Sequence, residues 1–178
     1  MKKLHLGCGN NIIPNFINID IENKKADIKA DVSNLYQFEN NSIDLIYACH
    51  ILEHFGRKEY LNVLKEWIRI LKIGGTIRLS VPSFESVVIH YIDNKDIKKL
   101  QGLLNGGQKN IFDYHYMCFD EKLLKSDLEK LGCKNCKIWD WRKTEHSQYD
   151  DYSQSYLPHM DKENGQLMSL NMEGIKWK

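Results

Sequence analysis

Two rhythms of apolar residues alternate along the chain. Short stretches at Leu4–Leu6, Phe16–Ile21, Ala26–Asp31, Ile43–Cys49 and Thr76–Val81 are too brief for helices and read as strands. The near-continuous IDLIYAC of Ile43–Cys49 marks a central strand buried on both faces. Between strands the period lengthens. Over Lys58–Lys72, the residues Tyr60, Leu64, Trp67, Ile68 and Leu71 recur at helical spacing with charged residues outside the stripe. This predicts an amphipathic helix stopped by Gly74-Gly75.

After Pro82 the pattern predicts an insertion. Ser83 caps a helix carrying Val87, Val88, Tyr91 and Ile92, and Asp96 starts a second with Ile97, Leu100 and Leu104, ended by Asn105-Gly106-Gly107. Asp120–Leu131 forms the next helix, with Leu124, Leu128 and Leu131 on one face. Cys136–Trp141 and Leu167–Lys176 are expected as the last two strands, on either side of a polar and aromatic segment, 142–166. Strands alternating with helices predict an α/β fold, a doubly wound seven-stranded sheet that is mostly parallel. One domain over 1–178 is expected, with 83–119 as a helical insertion or lid and 142–166 as a loop over the active-site edge.

Composition narrows the field. The 178 residues suit one domain, and a formal net charge of +1 gives no general pull toward nucleic acid or anionic membrane. Met1-Lys2-Lys3 is followed by only three residues before the glycines, so there is no signal h-region, and no apolar run reaches membrane length. Five cysteines without a secretory signal point to reduced thiols in the cytoplasm. The lone Cys133-x-x-Cys136 reads as small residues opening a strand.

The candidate chemistry starts at Gly7-Cys8-Gly9. Two glycines at the carboxyl end of a strand permit a tight turn and close approach of a ligand, and Asp20 ends the second strand where a carboxylate can accept from ribose hydroxyls. The third glycine of a dinucleotide fingerprint is missing, because Ile12 stands in its place, and Asp20 comes too soon. Pro14 leaves hardly room for a helix whose N-terminus would meet a pyrophosphate. A nucleoside cofactor without phosphates fits.

LHLGCGN, INIDI, the acid of KADV, IDLIYACHILEHF and EWIRILKIGGTIRLSVP occur in the order of class I S-adenosylmethionine-dependent methyltransferases, which the chain resembles over residues 3–84. It looks most like the small type 11 enzymes associated with surface polysaccharide synthesis. The resemblance implies a Rossmann-like fold and S-adenosyl-L-methionine as cofactor, with S-adenosyl-L-homocysteine as product. It places Gly7, Cys8, Gly9 and Asn10 beside the methionine part, Asp20 and Ile21 at the ribose, Asp31 and Val32 at the adenine, and Cys49 and His50 on the other side. The departure is an abbreviated first helix. The implied reaction moves a methyl group to a hydroxyl of a small acceptor such as a sugar, nucleotide sugar or phosphate-containing glycan precursor, and nucleic acid is not expected. The alternatives are an inactive methyltransferase-like binding protein and a nucleotide-sugar enzyme of another reaction type.

His50-x-x-Glu53-His54 matches a zinc-protease spacing that would put all three on one helical face. By resemblance the turn caps structure and touches cofactor, and no metal is expected. In the alternative, some relatives with an acid-x-x-E-H turn hold a divalent ion with a later histidine, whose counterpart is His115. An alcohol nucleophile needs a base. His115, oriented by Asp113 with its pKa raised, is the first candidate, followed by His159 and His50. His5 and His90 read as packed residues. Trp139, Trp141, Tyr149, Tyr152 and Tyr156 are expected near the rim, where flat aromatic faces suit sugars.

Overall fold

A computed structural model describes all 178 residues. The strands are β1 (Lys3–Leu6), β2 (Ile17–Asp20), β3 (Ile28–Lys29), β4 (Ile43–Cys49), β5 (Leu71–Pro82), β6 (Cys133–Ile138), β7 (Tyr156–Leu157), β8 (Gln166–Leu167) and β9 (Ser169–Lys176). The helices are α1 (Tyr60–Ile70), α2 (Phe84–Asn94), α3 (Gln101–Asn105) and α4 (Glu121–Lys130). Seven strands join one sheet in the order β3-β2-β1-β4-β5-β9-β6, while β7 and β8 pair separately. The first five strands are parallel, and β9 runs antiparallel between β5 and β6. Parallel strands bring the ends of β1, β2, β4 and β5 to one edge, where ligands of open α/β sheets bind.

The pleat sorts side chains between two differently built faces. Leu4, Leu6, Ile46, Ala48, Ile77 and Leu79 meet α1 and α4 in a core of 27 buried residues that includes Leu64, Trp67, Leu124 and Leu128. The opposite face presents His5, Asn18, Leu45 and Tyr47 and carries chain without an α-helix. Ile13 and Phe16 from the turn after β1, and Trp139 from beyond β6, pack there on Leu45 and Tyr47. Asn18 shapes that turn. Its Oδ1 accepts from Ile13 N–H at 2.9 Å, and its Nδ2 donates to the carbonyls of Ile13 and Phe16, both at 3.1 Å. A side chain thus supplies partners that an intervening helix would supply itself, and no helix forms between Gly9 and Phe16.

Several boundaries differ from the sequence reading. The first long helix ends at Ile70 rather than Lys72, and β5 begins at Leu71, before the glycines. The cause is Lys176, whose buried ammonium donates to the carbonyls of Ile68 and Leu71 at 2.8 and 2.9 Å and so closes the helix end. The third strand keeps only Ile28–Lys29, because the Asp27 carboxylate turns to accept from Asn18 N–H at 2.8 Å. β6 starts at Cys133 and ends at Ile138; Trp139 N–H still donates to Asn171 O of β9 at 3.0 Å, while its indole N–H donates to Leu79 O at 3.0 Å. Both cysteines are buried in β6. Local signals held elsewhere. Ser83 caps α2, accepting from Ser86 N–H, and Asp120 caps α4, accepting from Leu123 N–H. Asp96 opens a 3-10 turn over Ile97–Leu100, which leads into the short α3.

Candidate active site

The site grows from the turn after β1. Gly7 and Gly9 have φ of +61° and +51°, a left-handed region that glycine enters without strain. A Cβ on Gly7 would lie 2.6 Å from Cδ1 of Ile51, so no larger residue fits. At Gly9 the same position meets nothing within 4 Å, so the missing side chain leaves room beside bare backbone. Asp20 ties this turn to β2. Its Oδ2 accepts from Gly9 N–H at 2.8 Å, and its Oδ1 accepts from the N–H groups of Glu22 and Asn23, both at 2.8 Å. Asn23 returns a hydrogen bond from Nδ2 to Gly9 O.

Two cavities flank the turn, and Gly7 lines both. The smaller, about 140 Å³, lies among Asp20, Ile21, Asp31, Val32, Ile51, His54 and Phe55. The larger, about 580 Å³, runs past Cys8, Gly9, Asn10, Cys49 and His50 to residues 150–160. All ten positions expected to hold the cofactor therefore lie on one of two adjoining cavities. An open glycine turn with a carboxylate at the next strand end fits a ribonucleoside bearing an amino-acid tail, as in S-adenosylmethionine. Two wall residues gave no warning in the sequence. Ile111 and Phe112, 76% and 46% exposed, come from the insertion to cover the smaller cavity. Asn110 beside them donates to Glu22 Oε2 at 3.1 Å.

The histidines separate by position. His50 has φ of +50°, and its Nε2 lies 2.9 Å from Ser169 Oγ. Because that hydroxyl donates to Tyr152 O, it must accept from His50, which assigns the proton to Nε2. Burial lowers the His50 pKa to about 3, so the ring is neutral and committed to the turn. His115 lines neither cavity. Its Nδ1 is 2.9 Å from Leu103 O and its Nε2 is 3.9 Å from Glu53 Oε1. Asp113 does not orient it by a hydrogen bond, since its Oδ2 accepts from Lys109 N–H at 3.2 Å. Burial lowers the His115 pKa, against the expected rise, and Asp113 opposes this only in part. His159 is exposed and lines the larger cavity. His146, within the 142–166 segment expected over the active-site edge, is instead buried under the sheet with its ring 4.2 Å from that of Tyr47. His5 is buried on β1, as expected, but one edge reaches the larger cavity. Trp139 packs on the sheet, whereas Tyr152 stays 67% exposed at the cavity.

Glu53, His54 and His115 place one ligand atom each within 4.8 Å of one another, a set that could hold a divalent cation. Glu53 is fully buried, neither carboxyl oxygen has a hydrogen-bond partner, and burial raises its pKa to about 8. At neutral pH it therefore sits mostly protonated.

Residues 5–79 match a family model described as a methyltransferase domain. Solved structures similar to the chain include a methyltransferase dependent on S-adenosylmethionine from Archaeoglobus fulgidus, at 19% identity and TM-score 0.60, covering 98% of this chain and 86% of that one. Another, from Methanosarcina mazei, is 18% identical with TM-score 0.61 over 99% of this chain and 93% of that one. A third, a possible histamine N-methyltransferase from Thermotoga maritima, is 15% identical with TM-score 0.59, over 98% and 82%. No curated protein matches the sequence. The domain match takes in the glycine turn, and the whole chain shares the fold of these S-adenosylmethionine-dependent methyltransferases.

Proposed function

We propose that the enzyme methylates a hydroxyl of a small, sugar-like acceptor bound in the larger cavity, with His159 as general base. The observation that carries this reading is the shared wall at Gly7. Asp20 and Asp31 line the cavity on one side of it, and a free histidine lines the cavity on the other. Asp20 would take the ribose hydroxyls, and Asp31 with Val32 the adenine, beneath Ile111 and Phe112. Cys8–Asn10 and the backbone at Cys49–His50 would hold the methionine part. S-adenosylmethionine supplies a methyl group already activated on sulfur. The chain then has to align the acceptor, exclude water and take one proton from the hydroxyl, the last of which would fall to His159.

The sugar reading follows the resemblance to surface-polysaccharide methyltransferases and draws support from Tyr152, whose exposed ring offers a flat face with a polar edge. Five free cysteines suit a reducing cytoplasm, and no helix is long and apolar enough to cross a membrane. Calorimetric titration with S-adenosylhomocysteine tests the cofactor site, and absence of binding at millimolar concentration refutes it. Methyl transfer should then be measured across sugars, nucleotide sugars, small phosphates and tRNA. Turnover on tRNA alone refutes the sugar acceptor.

A further inference from the structure

The charged side chains on the larger cavity are all of one sign. Asp150 and Asp151 line it, and no lysine or arginine does. Asp151 is satisfied by neutral donors only. Its Oδ2 accepts from the Tyr47 hydroxyl at 2.6 Å, and its Oδ1 accepts from Ser153 N–H at 2.9 Å and Ser153 Oγ at 2.6 Å. The carboxylate's negative charge therefore has no cation against it.

The neighbouring cations are already engaged. Lys162 donates to Asp150 Oδ1 at 3.0 Å and to Gln154 Oε1 at 2.7 Å, and sits 5.1 Å over the Trp141 ring. Arg142 stacks on the same indole at 4.4 Å and donates to Tyr156 Oη at 3.2 Å. Neither side chain lines the cavity. Phosphate groups are held by arginine forks, lysines or helix N-termini. This cavity has none of them, since no helix opens after Gly9. A dianion entering here would meet the Asp151 carboxylate, which no cation offsets, beside an Asp150 whose only cation, Lys162, is already spent on it, and would lose its hydration. Sugar hydroxyls or an ammonium group would instead donate to those carboxylates, with Asn10 and Ser155 as further polar partners on the wall.

We infer that the acceptor carries no phosphate: it is a polyol that is either uncharged or bears an amine, and a phosphorylated or nucleotide-linked sugar is not the substrate. This rests on the methyl-transfer reading of the same cavity. The probes are glucosamine and glucosamine 6-phosphate, titrated into protein saturated with S-adenosylhomocysteine. Glucosamine should bind at least about tenfold more tightly, and Asp150→Asn, at a solvent-facing position, should narrow the gap. Asp151→Asn should narrow it further if urea unfolding shows the variant folded. Tighter or equal binding of the phosphate, or binding of neither probe, overturns the inference while leaving the cofactor reading intact. Failure of S-adenosylhomocysteine itself to bind removes that reading and this inference with it.

Discussion

The hydroxyl of Tyr47 donates to Oδ2 of Asp151 at 2.6 Å, joining the central strand to a residue 104 positions later. Tyr47 is fully buried, so this bond fastens the segment beyond β6 onto the face of the sheet opposite α1 and α4. Asp151 is also a wall of the larger cavity, which makes the same bond a determinant of cavity shape. Tyr47→Phe removes a hydrogen bond to a charged group, and a loss of about 1.5–3 kcal/mol is expected from urea unfolding. Acceptor KM should rise in parallel, with S-adenosylhomocysteine affinity changed less.

A pH dependence follows from His146 on the same face. Its ring is buried against Tyr47, its Nε2 has no partner, and burial lowers its pKa from 6.5 to about 4. Between these values the unfolded chain binds a proton that the folded chain refuses, so stability is complete above pH 6.5 and falls as pH drops toward 4. The share from this one residue is about 3 kcal/mol. His146→Phe keeps the aromatic packing and should flatten the acid limb by roughly that amount in unfolding measured from pH 7 to pH 4. An unchanged acid limb would show that the ring is accessible to protons in the folded state.

Asp20 has two duties, so its replacement should show two effects. Asp20→Ala is expected to weaken S-adenosylhomocysteine binding by about 1–3 kcal/mol, the loss of a buried hydrogen-bond partner. It also frees three backbone N–H groups, those of Gly9, Glu22 and Asn23. Amide exchange at these residues should therefore quicken even without ligand. Weakened binding with unchanged exchange would mean that the turn holds its shape without the carboxylate.

The parts of the molecule legible in the sequence are those whose causes are local. Gly7, Gly9 and Asp20 sit where the turn and strand end need them, and Ser83 and Asp120 cap the helices they precede. What stayed hidden depends on partners far along the chain. The end of α1 is fixed by Lys176, the seat of the Trp139 indole by Leu79 O, and the turn after β1 by Asn18. The density of polar residues in 142–166 marked a segment with work to do. It did not distinguish His146, folded beneath the sheet, from His159 at the cavity. Ile111 and Phe112 read as two apolar residues in a polar loop, with no period to place them.

Phe112 tests whether the insertion takes part in cofactor binding. It lines the smaller cavity while half-exposed, so only part of its apolar area would be buried by an adenine. Phe112→Ala should weaken S-adenosylhomocysteine binding by about 1 kcal/mol, roughly fivefold, with little change in unfolding. Equal affinity in the two proteins would separate the insertion from the cofactor.

The choice of base can be decided by comparing two histidines that differ in where their nitrogens point. His115 spends Nδ1 on Leu103 O and turns Nε2 toward the buried Glu53, away from both cavities. His159 stands exposed on the wall of the larger cavity. A positioned general base contributes about 10²–10⁴-fold, so His159→Ala should lower kcat by that range and leave S-adenosylhomocysteine affinity within about twofold. His115→Ala instead leaves Leu103 O and Glu53 facing a void, so its effect should appear in unfolding and reach turnover only through lost structure. If His115→Ala abolishes turnover with stability intact while His159→Ala falls by less than about tenfold, the base belongs to the Glu53 cluster rather than to the cavity loop.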